Sequence, residues 1–244
     1  MEHQFAVRIV DDDPSQARPP SWQGTLFGLD DPWADPGFAT TELIQLDDEC
    51  WLEHCPNWLG GSDLVFAELV TGLPWRQREV VMYHRLLPEP RLTAWWTTGD
   101  QSSEPLPVLS QMRTLLSARY EREFDSIGCN YYRDGRDSVA WHGDRVRHLE
   151  DPVVAIVSVG APRAFLLRPR GGGSSRGFML GQGDLLVMGG DCQNAWEHCV
   201  PKAASAGPRI SITYRHGGPA PGGRYREAWA DAPSARRSDP PVGR

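Results

Sequence analysis

The chain has 244 residues, 40% of them hydrophobic and 23% charged, and a formal net charge of −7 at pH 7, a balance ordinary for one core-bearing globular domain with extra segments. No apolar run approaches the roughly 20 residues a membrane span needs, and Met1–Val10 shows no signal-peptide pattern. Five cysteines, an odd number without a CxxC pair, argue against a disulfide framework and point to a reducing, cytoplasmic setting.

Taken in chain order, residues 1–40 are rich in Pro, Asp and Gly and read as a loosely ordered lead-in. The charge is concentrated there and just beyond. Residues 1–70 hold 14 acidic and 2 basic side chains, whereas the other 174 hold 18 and 23. A mildly basic body behind an acidic N-terminal part suits a phosphate-bearing partner, and equally an ordinary solvated surface. A single domain is expected over 41–216. Ser62 to Leu73 predicts a helix with Ser62 as N-cap and Leu64, Ala67 and Val70 on its apolar stripe. A second helix is predicted from Pro107 to Phe124, burying Leu109, Met112, Leu116 and Tyr120.

After that helix the periodicity shortens. Strands are predicted at Ser126–Tyr132, Val153–Val159, Arg163–Arg168, Arg176–Leu180, Asp184–Met188 and Arg209–Arg215, separated by glycine-rich turns. The expected class is mainly β with flanking helices, as a sandwich or a barrel such as a jelly roll. Residues 217–244, rich in Gly, Pro and Arg, read as a tail, and there are no internal repeats.

The chemistry concentrates around Trp141-His142-Gly143-Asp144. On extended backbone, positions i and i+2 share a face, so an imidazole and a carboxylate project together. With His198 further along, two histidines and one carboxylate leave three positions open on a metal, the pattern of non-haem Fe(II) oxygenases. His-x-Asp alone recurs by chance, and a histidine beside Glu197 is more often a packing or surface residue. Arg209 and Arg215 add weight. Their even spacing puts both guanidinium groups on the face shared by Ser211 and Thr213, with Ile210, Ile212 and Tyr214 opposite. Two cations beside a metal need an anionic occupant, and a dicarboxylate with one end on the metal supplies it.

Asn130-Tyr131-Tyr132-x-x-Gly135, His142-x-Asp144, His198 and Arg209-x5-Arg215, in that order, resemble the AlkB family of alkylation-repair dioxygenases. Pro90-Arg91-x-x-Ala94, Ser158-x-Gly160-x-x-Arg163-x-Phe165 and Gly183–Met188 extend the resemblance from about Met82 to Arg215. The resemblance implies a double-stranded β-helix core, with His142, Asp144 and His198 holding Fe(II). It also implies that Asn130, Tyr132, Arg209, Ser211 and Arg215 bind 2-oxoglutarate, Arg209 with the Tyr132 hydroxyl at the distal carboxylate and Arg215 nearer the metal. Some relatives carry Asn at the position of Ser211. The implied reaction consumes 2-oxoglutarate and O2 and removes an N-alkyl carbon as formaldehyde, releasing succinate and CO2.

The implied partner is alkylated DNA or RNA, often with the base flipped out, and the implied state is a monomer with no membrane partner. Trp95, Trp96, Trp141 and Trp196 are candidate stacking walls, each with core packing as the alternative. Met82-Tyr83-His84 falls where relatives that read duplexes carry an apolar hairpin tip, or forms a plain hairpin. Arg145, Arg147, Arg163, Arg168, Arg170 and Arg176 are candidate phosphate contacts. One departure stands out: Val146 replaces a second acidic residue that contacts the base in some relatives. It keeps open an oxygenase acting on a protein or small molecule.

Overall fold

A computed structural model describes residues 7–10, 31–82, 85–97, 105–144 and 151–217, with the backbone alone for 7–10, 81 and 82. Strands β1 (Val7–Val10), β2 (Trp33–Ala34), β3 (Glu42–Gln45), β4 (Cys50–Cys55) and β5 (Leu59–Gly60) precede helix α1 (Ser62–Gly72). Strands β6 (Gln77–Met82), β7 (Arg85–Pro88) and β8 (Leu92–Thr97) lead to helix α2 (Pro107–Tyr120). The second half comprises β9 (Phe124–Tyr132), β10 (Val139–His142), β11 (Val154–Gly160), β12 (Arg163–Pro169), β13 (Arg176–Leu180) and β14 (Asp184–Gly190). Helix α3 (Cys192–Ala195), β15 (Trp196–Val200) and β16 (Arg209–His216) complete it.

A seven-stranded sheet runs β3-β4-β14-β11-β16-β9-β8, and a four-stranded sheet runs β10-β15-β12-β13. From β9 onward the chain passes back and forth between the two, which is the winding of a double-stranded β-helix. The six predicted strands are all present and end within two residues of their expected bounds. Strand β11 (VAIVSVG) is buried along its whole length, because both faces of the large sheet are covered.

The covering comes from two cores. On the outer face, Ile210, Ile212 and Tyr214 of β16 meet Ile127, Cys129 and Tyr131 of β9 beneath Phe66 of α1 and Leu109, Met112 and Leu116 of α2. Between the sheets, Tyr132, Val154, Ile156, Leu186 and Met188 face Phe165, Leu167, Leu180, Trp196 and Val200. All five cysteines are buried and unpaired.

Three local differences from expectation have physical causes. Helix α2 stops at Tyr120, since Glu121 adopts φ 52 as its C-cap, and Phe124 opens β9 instead. In α1 the N-cap is Gly61 at φ 66 and the buried residues are Val65, Phe66 and Leu69, while Ala67 is exposed. The Phe66 ring packs against β11, where a Cβ on Gly160 would come within 2.9 Å of it. Within the 1–40 lead-in, residues 31–40 pack on the core: Ala34 and Phe38 are buried, and β2 pairs with β5. Strand β1 pairs with β6. The tail over 218–244 lies outside the described residues. Among the described residues no helix is long and apolar enough to cross a membrane.

Leu116 is fully buried under the large sheet. Replacing it by Ala should lower the unfolding free energy by about 2–5 kcal/mol, read from urea titration. A loss under about 1 kcal/mol would show that α2 is not part of the cooperative core.

Candidate active site

The open end of the β-helix is built from rows of residues that face one another across β9, β16 and β11. Tyr132, Arg209 and Gly160 form one row, and Asn130, Ser211 and Ser158 the next. Gly128, Thr213 and Ile156 follow, then Ser126, Arg215 and Val154. Because paired residues share a face, the side chains of Arg209, Ser211 and Arg215 all point between the sheets, as the spacing on β16 predicts.

From the small sheet, His142 and His198 are directly paired across β10 and β15, and their rings are 4.3 Å apart. Asp144 follows β10. One ligand atom from each of the three lies within 4.8 Å of the others. The ligand loop is held by its neighbours. His142 Nδ1 is 2.9 Å from the Ala140 carbonyl; a carbonyl only accepts, so Nδ1 donates and Nε2 is the ring nitrogen available to a metal. The Asp144 N–H donates to Gln193 Oε1 at 2.9 Å. Gly143 is required between them, since a Cβ there would come within 2.6 Å of Arg170 Nη2 and of the Gln193 carbonyl. Phe165 stacks on the His198 ring at 5.1 Å.

The electrostatics prepare Asp144 and His198 for a cation. Burial by itself pushes the Asp144 carboxyl up, but Arg215, His198 and His142 overcome it and hold it at about 2. Burial, helped by His142 and Arg215 against Asp144, pushes His198 down to about 3. Both groups are thus in the deprotonated form that ligation requires. Arg215 Nη2 donates to Asp144 Oδ1 at 2.7 Å, while the buried Asp144 Oδ2 has no hydrogen-bond partner among the described residues.

Arg209 is 1% exposed. Its Nη2 donates to Ser158 Oγ at 2.6 Å, its guanidinium lies 5.4 Å from the centre of the Tyr132 ring, and its Nε and Nη1 have no partner among the described residues. Burial pushes its pKa down to about 10, so it stays charged at neutral pH. A buried cation with two unanswered N–H nitrogens is costly unless an anion meets it. An orphaned carboxylate oxygen beside two imidazoles fits a divalent metal, and Arg209 fits a carboxylate.

Comparison with known proteins agrees with this geometry. The family model of the 2OG-Fe(II) oxygenase superfamily matches residues 68–215. The mouse alpha-ketoglutarate-dependent dioxygenase alkB homolog 3 is 35% identical over 185 residues, covering 68% of this chain and 65% of that protein. The human homologue is 33% identical, covering 66% and 64%. DNA oxidative demethylase ALKBH2 of Arabidopsis thaliana is 29% identical over 64% of this chain and 66% of its own length. The chain thus spans just under two thirds of the mouse and human alkB homologues it matches. It belongs to the 2OG-Fe(II) oxygenase superfamily, in the AlkB family.

In this AlkB-family chain the four tryptophans take different places. Trp95, 49% exposed, pairs with Gly128. A Cβ on Gly128 would come within 3.3 Å of Trp95 and 3.2 Å of Arg215, so Trp95 lies on the same open face as Arg215. Trp96 points the other way, into the core under the helices. Trp196 is buried between the sheets, with Nε1–H donating to Asp47 Oδ2 at 2.6 Å. Trp141 is covered by the Arg168 guanidinium at 4.0 Å, itself paired with Glu197. Trp96 and Trp196 are thus packed in the two cores, and Arg168 covers one face of the half-buried Trp141.

Of the arginines read as phosphate contacts, Arg163 is corrected outright. It is 2% exposed and donates to the carbonyls of Asp134, Asp137 and Pro201, tying the loop after β9 to the one after β15. Arg170 binds the carbonyls of Asn194 and Gln193. Arg145, Val146, Arg147, Tyr83 and His84 lie outside the described residues, and so does the Met82 side chain. Gln193, which holds the ligand loop, carries no sequence signal.

His198 gives a pH prediction. Unfolded, it takes up a proton near its ordinary value of 6.5; folded, it stays neutral down to about 3. The unfolded state thus binds more protons between these values. Stability of the metal-free protein should be full above that window and fall with pH inside it, by up to about 1.4 kcal/mol per pH unit. Urea midpoints at pH 7 and pH 5 measure the fall. It should be smaller in His198→Asn, and an identical fall in that variant would exclude His198 as its source.

Proposed function

We propose that this chain is an Fe(II)- and 2-oxoglutarate-dependent dioxygenase that oxidatively removes alkyl groups from bases in DNA or RNA. The observation that carries the reading is a pair of buried groups between the sheets without partners among the described residues: Asp144 Oδ2, and Nε and Nη1 of the Arg209 guanidinium. His142, Asp144 and His198 would hold the metal. Arg209 would take the distal carboxylate of 2-oxoglutarate, with Tyr132 beneath it, and Asn130 and Ser211 would line the pocket between. Arg215, which donates to Asp144 Oδ1, would act on the metal centre through Asp144, with Oδ2 left available to the metal. When bound, iron, 2-oxoglutarate and O2 together supply the oxidising power that hydroxylates an N-attached carbon, with succinate, CO2 and formaldehyde as products.

Two further features support a base as substrate. Trp95 offers a half-exposed indole on the open side, over Gly128, where a flat heterocycle can stack. The similar proteins include ones named DNA oxidative demethylase. Five buried, free thiols suit a reducing, cytoplasmic compartment.

Asp144→Ala or His198→Ala should abolish both Mn(II) binding and 2-oxoglutarate turnover while the far-ultraviolet circular dichroism is kept; near-normal metal binding in either variant would sink the ligand assignment. Arg209→Lys keeps the charge and loses the planar fork, so its KM for 2-oxoglutarate should rise roughly ten- to a hundredfold. Mass spectrometry of methylated DNA and RNA oligonucleotides incubated with the enzyme, Fe(II) and 2-oxoglutarate tests the substrate. Turnover of 2-oxoglutarate without loss of methyl from any oligonucleotide would favour a protein or small-molecule substrate instead.

A further inference from the structure

We propose that Arg91 is a positioning residue of the cosubstrate pocket, fixing which end of the Asn130 amide faces 2-oxoglutarate. The inference rests on the reading of Asn130, Ser211 and Arg209 as that pocket. Arg91 immediately precedes β8, next to Leu92, which pairs with Tyr131. Thr93, on the same face as Arg91, pairs with Asn130. The Arg91 Nε–H donates to Asn130 Oδ1 at 3.0 Å. Its Nη2 lies 3.2 Å from Glu89 Oε2, and the two side chains are only 16% and 11% exposed.

A guanidinium has five N–H donors and no acceptor. The atom it meets on Asn130 must therefore be the oxygen, and the NH2 group is left to point away from Arg91. The opposite flip would set N–H against N–H and forfeit the bond. Without Arg91 the amide is free to present either end to the pocket. With it, Asn130 is held as a donor, the only polarity that suits a carboxylate or keto oxygen of the cosubstrate.

Glu89 completes the device. Its carboxylate forms an ion pair with Arg91 at 3.2 Å that matches the charge without a hydrogen bond, so Arg91 is not an unpaired cation. Its backbone is clamped in turn: the Glu89 N–H donates to the Arg78 carbonyl at 2.6 Å, and Gln77 Nε2 donates to the Glu89 carbonyl at 2.8 Å. Arg78 and Gln77 belong to β6, and Glu89 follows β7. The β6–β7 hairpin is thereby linked through one ion pair to a side chain of the cosubstrate pocket.

The test measures 2-oxoglutarate binding by calorimetry with Mn(II) in place of iron, so that no turnover intervenes. Arg91→Met and Asn130→Ala should each weaken binding roughly tenfold. The double variant should be no weaker than either single one, because Arg91 acts through Asn130. Mn(II) affinity without 2-oxoglutarate should stay at the wild-type value in all three. Asn130→Asp, nearly isosteric, should bind 2-oxoglutarate worse than Asn130→Ala, since it offers the anion an oxygen where a donor is needed. The Asn130→Asp outcome keeps the proposal open to refutation even if Arg91→Met fails to fold. Wild-type affinity in Arg91→Met, penalties that multiply in the double variant, or an Asn130→Asp protein that binds as well as wild type would each overturn the proposal. Failure of the wild-type protein itself to bind 2-oxoglutarate would instead overturn the function on which it rests.

Discussion

Asp144, Arg209 and Arg215 carry full charges between two sheets, and an unmatched charge is among the most expensive things a protein interior can hold. Arg215 and Asp144 answer one another at 2.7 Å; Arg209 meets no carboxylate among the described residues, its Nη2 donating to the Ser158 hydroxyl. The remaining imbalance is one buried cation on the sheet side and one orphaned carboxylate oxygen on the metal side. A metal ion and a dicarboxylate together cancel both. The surrounding structure serves to keep this arrangement dry and in place: hydrophobic packing on the outer face of the large sheet, Gln193 behind the ligand loop, and Arg163 joining the loops after β9 and β15.

Strand β16 shows how one sequence pattern meets two demands. Its odd and even positions diverge completely in character, with Arg209, Ser211, Thr213 and Arg215 lining the pocket and Ile210, Ile212 and Tyr214 anchoring the helices. A slip of one residue would bury cations under α2 and empty the site. The register is held on both sides, by β9 and by β11, over seven paired residues with β11 alone.

Alternation makes β12 and β16, with its paired arginines, legible in the sequence, whereas β9, β11 and β14 are legible as nearly continuous apolar runs buried on both faces. Legibility failed where the period failed. Strand β10 pairs through a bulge between Val139 and His142, and β15 is a short run crossed by His198 and Glu197. Strands β3 and β7 are exposed along most of their length and have no buried face to imprint a pattern. The tryptophans were ambiguous for a different reason. Adjacent Trp95 and Trp96 point to opposite faces of one strand, and which face is the pocket depends on the neighbouring strand rather than on either residue. Arg163 looked like surface charge because three carbonyl acceptors from distant loops leave no trace in local sequence.

The five cysteines, unremarkable as packing, bear on the surroundings in which such an enzyme would work. Burial pushes the thiols of Cys50 and Cys129 well above the ordinary range, that of Cys192 up to about 12, and that of Cys199 upward. At neutral pH these sulfurs are protonated, and the thiolate is the form that attacks electrophiles. A chain proposed to undo alkylation of nucleic acid meets the same methylating agents that damaged its substrate. The thiols of Cys50, Cys129, Cys192 and Cys199 are buried and held protonated, the form that reacts slowly with such agents.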